Sequence, residues 1–126
     1  AIETGSGLHL PAAAPVVVDE FPPLWGRAVH DQQESRAAVE MGAHYLVVGT
    51  IYPTPTKPHY PGAGLGLVEK IVAAARTVPV FAIGGVDVTR VPDLLRAGAY
   101  GVAVRRAVLQ AKRPRDAARD LLRALS

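Results

Sequence analysis

Pro79-Val80-Phe81-Ala82-Ile83-Gly84-Gly85-Val86 and, one helical stretch later, Tyr100-Gly101-Val102-Ala103-Val104-Arg105-Arg106 decide the fold. Each begins with a short apolar run, Pro79–Ile83 and Tyr100–Val104, the pattern of a parallel strand buried on both faces. Similar runs lie upstream at Gly7–Leu10, Leu24–Val29 and His44–Gly49. Helical patterns separate them. Asp31-Gln32-Gln33-Glu34 has capping-box spacing, with Asp as the cap, and opens a helix ending near Gly42. Val68, Ile71, Val72 and Ala75 form one apolar stripe. Thr89 is the expected cap of a helix that carries Val91, Leu94 and Leu95 and stops at Gly98. Pro114 suits the first turn of a last helix whose Ala117, Ala118, Leu121, Leu122 and Leu125 share a face.

Strands alternating with helices, joined by right-handed crossovers, predict an α/β fold of the (β/α)8 TIM-barrel type, with strands 4–8 in this chain. The chain has 126 residues and reads throughout as a single domain, residues 1–126. A complete barrel typically takes ~250 residues, so roughly three βα units are expected to precede this stretch. The alternative is a half-barrel completed by a partner chain, as in a homo-oligomer.

Composition narrows the function classes. Hydrophobic residues make up 49% and charged residues 20%, which is ordinary globular usage. The absence of cysteine excludes disulfides, thiolate metal sites and cysteine nucleophiles. No apolar run approaches the ~20 residues of a membrane span, and the first residues lack a signal-peptide pattern. A cytoplasmic protein with no membrane partner is therefore expected. The net charge of +3 suits an anionic small molecule. Nucleic acid is not expected, because the basic residues between Arg105 and Arg123 interleave with acidic ones and lack accompanying aromatics.

In a parallel barrel, the loops after the last two strands commonly hold a phosphate with backbone N–H groups. Gly84 and Gly85, with no Cβ to obstruct an anion, and the backbone of Arg105 and Arg106 are the expected phosphate site. The stretch Gly49-Thr50-Ile51-Tyr52-Pro53-Thr54-Pro55-Thr56-Lys57-Pro58 is a long loop bearing hydroxyls and a cation, and Thr54, Thr56 and Lys57 are its substrate-binding candidates. His30 ends a strand just before the Asp31 cap, where a barrel places its active site, and an imidazole is a common proton-transfer group. It is the catalytic candidate. His9, His44 and His59 are expected to be structural or exposed, with no spacing that suggests a metal site. Asp87 and Asp93 are expected as helix-end charges. No metal and no cofactor are expected.

Six stretches in register resemble the thiamine phosphate synthase/TenI family of (β/α)8 barrels. They are Gly7-Leu8-His9-Leu10, Trp25-Gly26-Arg27-Ala28-Val29-His30, Gly42–Gly49, Pro53-Thr54-Pro55-Thr56-Lys57, Ala82-Ile83-Gly84-Gly85 and Gly98–Val104. The resemblance covers the family's last five βα units. Its synthase branch carries a Gly-Gln-x-Asp pattern whose carboxylate helps hold Mg²⁺; Pro11-Ala12-Ala13-Ala14 stands there instead. Ala28 and Arg106 replace two synthase serines, whereas Thr54, Thr56 and Lys57 match the synthase contacts to pyrophosphate. Leu10-Pro11 and Gly26–His30 look like the TenI branch. These departures imply a thiazole tautomerase, a metal-independent isomerase of thiamine biosynthesis. It would use His30 to move a proton on a phosphorylated thiazole. The alternatives are a thiamine phosphate synthase, which is a transferase joining a pyrimidine pyrophosphate to a thiazole phosphate, and a non-catalytic TenI-like binding protein.

Overall fold

Among the described residues, five short parallel strands pair in the order in which they occur along the chain. They are β1 (Leu8–Leu10), β2 (Trp25–Val29), β3 (Tyr45–Val48), β4 (Val80–Ile83) and β5 (Gly101–Ala103). The computed structural model describes residues 8–10, 24–55, 58–104 and 106–126. The Pro11–Ala14 stretch, Thr56, Lys57 and Arg105 lie outside them. Three crossovers link neighbouring strands: α1 (Gln32–Glu40), α2 (Leu65–Ala75), and a 3₁₀ turn, Val88–Arg90, running into α3 (Val91–Arg96). Two helices follow β5, α4 (Arg106–Leu109) and α5 (Pro114–Leu125).

Strand order without a reversal separates this architecture from a doubly wound sheet. When every parallel crossover is right-handed and each strand is added on the same side, all crossover helices fall on one face. That is the winding of consecutive βα units in a (β/α)8 barrel. The register supports it. Val29, Val48 and Ala82 occupy one row, pointing to the face where Leu46 and Val80 are also buried. These side chains share a core with Ala38 of α1, Val68, Ile71 and Ala75 of α2, Val91 and Leu94 of α3 and Leu121 of α5. Ser35, fully buried on α1, donates its hydroxyl to the Ile71 carbonyl at 3.4 Å and so ties α1 to α2.

The opposite, concave face carries Ala28, Val47, Phe81 and Ile83 and is only partly covered. Near the start of the strands Phe81 meets Tyr45 and Tyr100 edge to face, with ring centroids 6.0 and 5.7 Å apart. Gly26 leaves space for this aromatic floor, since a Cβ there would come within 2.2 Å of the Tyr45 ring.

Local chemistry explains the helix ends. Asp31 caps α1 by accepting from the Glu34 amide at 2.8 Å. Glu34 reaches back to the His30 amide, also at 2.8 Å, one residue earlier than a standard capping box. Both α1 and α3 end in a Schellman motif. Gly42 and Ala43 donate to Val39 and Ala38, and Gly98 and Ala99 donate to Leu95 and Leu94. Two sequence expectations need correction. The cap before α3 is Asp87 rather than Thr89: its carboxylate accepts from the Thr89 amide and hydroxyl. Leu122 is 66% exposed, whereas its neighbour Leu121 is the buried residue of α5.

The packing predicts a contrast within α2. Ile71→Ala removes a fully buried side chain and should cost about 2–5 kcal/mol in denaturant unfolding of the whole protein. Glu69→Ala, on the exposed face of the same helix, should stay within about 0.5 kcal/mol. Equal losses would contradict the burial pattern.

Candidate functional site

Because the strands are parallel, their C-terminal ends converge on one edge of the sheet. His30 follows β2, Gly49 and Thr50 follow β3, Gly84 and Gly85 follow β4, and Val104 follows β5. A cleft of ≈ 260 Å³ opens at this edge, lined by Ala28, Val29, His30, Val47, Gly49, Thr50, Tyr60 and Ile83. Its lining combines aliphatic residues with His30, Thr50 and Tyr60.

The β3–β4 pairing continues past the strands. Ile51 donates to the Ile83 carbonyl at 3.1 Å, and Tyr52 donates to the Gly84 carbonyl at 3.0 Å. Ala63 and Gly64 donate to the carbonyls of Thr50 and Ile51 at 2.8 and 2.9 Å, which folds the far end of the loop back onto its beginning. Ile51 is buried as the anchor. This close approach explains the glycine pair. Gly84 and Gly85 have φ of 101° and 67°, a region that side chains disfavour. A Cβ on Gly84 would lie 2.5 Å from Thr50 Cγ2, and one on Gly85 would lie 2.8 Å from the Pro53 carbonyl oxygen. The sequence reading explained both glycines by the approach of an anion. The structure adds a further reason, the close approach of the neighbouring loop.

The predicted phosphate segments lie side by side. Ile83 pairs with Ala103, so Gly84 and Val104 each stand one residue beyond the last paired row. Arg106 opens α4 directly afterwards. Thr54 is half-buried in the loop after β3. The structure thus brings His30, Thr54, Gly84, Gly85 and the start of α4 to one edge.

His30 sits at the cleft mouth with 63% of its side chain exposed. Its Nδ1 lies 3.5 Å from the Glu34 carboxylate that also accepts its backbone amide, so one carboxylate orients both main chain and ring. His44 has a structural role as expected: its Nδ1 accepts from the Trp25 amide at 3.2 Å. His59 is exposed in a turn. Asp93 pairs with Arg96 in α3.

Sequence reasoning missed Thr50 and Tyr60 in the cleft, and Arg90 and Tyr52 beside it. Thr50 was legible in principle, as a hydroxyl just past a strand. Arg90 had no local signal, since nothing in the spacing shows its side chain turning back to Gly85 and over Tyr52 of the neighbouring loop. Its guanidinium lies 4.3 Å from the centroid of the Tyr52 ring and donates to the Gly85 carbonyl. Burial is the main cause that pushes the Tyr52 phenol above its usual range, followed by the charge of Asp93, so the ring is neutral near pH 7. The Thr89 hydroxyl holds the Asp87 carboxyl below the usual carboxylate range. The stability from this cap is therefore present above the ordinary Asp value and is lost as pH falls through the lowered one.

Comparison with known proteins fits this geometry. The sequence model of the family described as thiamine monophosphate synthase matches residues 7–108. Proteins named thiamine-phosphate synthase are similar throughout. The Mycobacterium sp. (strain KMS) protein is 44% identical over 94% of this chain and 51% of its own length. The Mycolicibacterium smegmatis protein is 45% identical over 82% of this chain and 46% of its own. The chain spans about half the length of the curated relatives it matches. Among solved structures, the thiamine phosphate pyrophosphorylase of Pyrococcus furiosus is 29% identical, with a TM-score of 0.78 over 94% of this chain and 58% of that one. A 3-hexulose-6-phosphate synthase, 21% identical, shares the fold with a TM-score of 0.74.

These relatives overturn the tautomerase expectation and its isomerase class, because they carry the name of the synthase that stood as the alternative. No helix among the described residues is long and apolar enough to cross a membrane. With a family match across residues 7–108 and an edge where the family's strand-end motifs converge, the chain belongs to the thiamine monophosphate synthase family.

Proposed function

We propose that the protein containing this chain is a thiamine-phosphate synthase, a transferase that joins a pyrimidine pyrophosphate to a thiazole phosphate. The observation that carries this reading is the 44% identity to proteins of that name over nearly the whole chain. In the reaction, the bond between the pyrimidine methylene and the pyrophosphate oxygen breaks, and the electron pair leaves with pyrophosphate. The thiazole ring nitrogen supplies the pair for the new C–N bond. No proton is lost from that nitrogen, so the step needs no general base.

The residues divide by the charge they meet. The backbone of Gly84, Gly85, Arg105 and Arg106 anchors the thiazole phosphate. Thr54, Thr56 and Lys57 receive the pyrophosphate, with hydroxyl donors and one ammonium. The aliphatic residues of the cleft give the flat pyrimidine ring an apolar surface to lie against. His30, with no proton to abstract, serves as a hydrogen-bond donor to the departing pyrophosphate, its ring held by Glu34.

A divalent cation commonly neutralises a leaving pyrophosphate, and the synthase resemblance implies Mg²⁺. The described residues do not fit such a site. Among them no three His, Asp or Glu side chains converge where an ion could be held. Asp31 and Asp87 at this edge serve as caps, and Glu34 is engaged by His30. The described residues therefore supply no metal-held step.

The direct test incubates the whole protein with both substrates. Thiamine phosphate and pyrophosphate should form in equal amounts; no pyrophosphate release above background would reject the transferase reading.

The donor role of His30 has its own signature. His30→Ala should lower kcat/KM by about 10–100-fold, the scale of a hydrogen bond to a charged group. His30→Gln, which keeps an N–H donor but cannot exchange a proton near neutrality, should recover to within about tenfold of wild type. If Gln is as damaging as Ala, the donor role is wrong.

A further inference from the structure

Arg90 lies outside the cleft yet touches both loops that frame it. It is the last residue of the 3₁₀ turn after β4 and is half-buried. Its Nη1 donates to the Gly85 carbonyl, and its guanidinium covers the Tyr52 ring at 4.3 Å. Tyr52 belongs to the other loop: its amide donates to the Gly84 carbonyl, and its Cβ packs where a Gly85 side chain would be. One cation therefore closes a ring of contacts through Gly84, Gly85 and Tyr52.

The peptide unit makes this more than packing. Gly85 has the left-handed φ of 67° and no side chain to limit it, so its carbonyl has an unusually wide choice of directions. The C=O and the next N–H share one rigid plane and point in opposite directions. A guanidinium that fixes the Gly85 carbonyl thereby fixes the Val86 N–H on the far side of the same plane. Stacking on Tyr52 limits how far the guanidinium can move, and planar stacking suits arginine better than lysine.

We propose that Arg90 is a positioning residue for phosphate binding, which sets the direction of the Val86 amide at the end of the Gly84–Gly85 turn through the Gly85 carbonyl and the Tyr52 ring. This rests on the reading that the turn binds the phosphate of the thiazole substrate. Arg90 acts through the turn and contacts no substrate. The same contacts tie the phosphate turn to the Thr50–Thr54 segment, so the two anion-binding loops keep one spacing.

Calorimetry with thiazole phosphate as the probe reads affinity without turnover, and the dephosphorylated thiazole alcohol is the control. In the whole protein, Arg90→Met should weaken thiazole phosphate by about tenfold or more, leaving the alcohol within about twofold. Arg90→Lys, which keeps the charge near Tyr52, should recover part of the loss. Tyr52→Leu should weaken binding too, and the double variant Tyr52→Leu/Arg90→Met should lose less than the two single losses combined. The proposal is overturned if Arg90→Met binds thiazole phosphate as wild type does, or if it loses phosphate and alcohol equally. Wild-type protein that does not bind thiazole phosphate overturns the phosphate site and this proposal together. Protein that binds it without coupling overturns only the transferase reading.

Discussion

The close approach of the Thr50–Pro53 segment to the Gly84–Gly85 turn is the constraint on which the functional edge depends. Two backbone hydrogen bonds extend the β3–β4 ladder beyond the strands, with Ile51 buried beneath them. The approach is possible only without side chains at 84 and 85, where a Cβ would meet Thr50, Tyr52 or Pro53 at 2.5–2.8 Å. Everything at the edge inherits this arrangement. Thr50 is fixed in the cleft, Thr54 follows in the same loop, and Arg90 can reach both Gly85 and Tyr52.

The edge is also polarised by how the fold uses its acids. Helix N-termini favour negative charge, so Asp31 and Asp87 sit there as caps, and Glu34 turns toward His30. Their carboxylates are engaged by helix amides and the imidazole rather than left facing the cleft. The cleft itself is lined by hydroxyls, an imidazole and aliphatic groups. A surface of donors beside apolar groups suits an anion attached to a flat ring.

Much of the fold was legible because its determinants are local. Continuous apolar runs located all of the described strands to within about two residues. Asp31, Gly42 and Gly98 marked helix ends through bonds that each helix makes to itself, and Pro114 did so through its fixed φ at a first turn that needs no N–H there. The misreadings involve contacts between segments. Thr89 and Asp87 are both plausible caps by type, and only the backbone direction at 87 selects the aspartate. Leu122 obeys helical spacing but stays exposed, while Leu121 beside it is buried. Arg90 and Tyr60 join the site from outside the strand-end motifs, so no spacing announced them. The choice of reaction failed for a related reason. Ala28, Arg106 and Pro11–Ala14 each report on one contact, and Arg106 changes a donor rather than removing it. The agreement with synthases along the rest of the chain carries more weight.

The central claim is that the turn after β4 and the segment after β5 together hold a phosphate. A crystal structure of the whole protein with thiazole phosphate tests it most directly. The account predicts the phosphorus atom between the two segments, with its oxygens within about 3 Å of backbone nitrogens from Gly85 and from the Arg105–Arg106 stretch. A phosphate bound at another part of the C-terminal edge, with the Gly84–Gly85 amides turned away from it, would contradict the account.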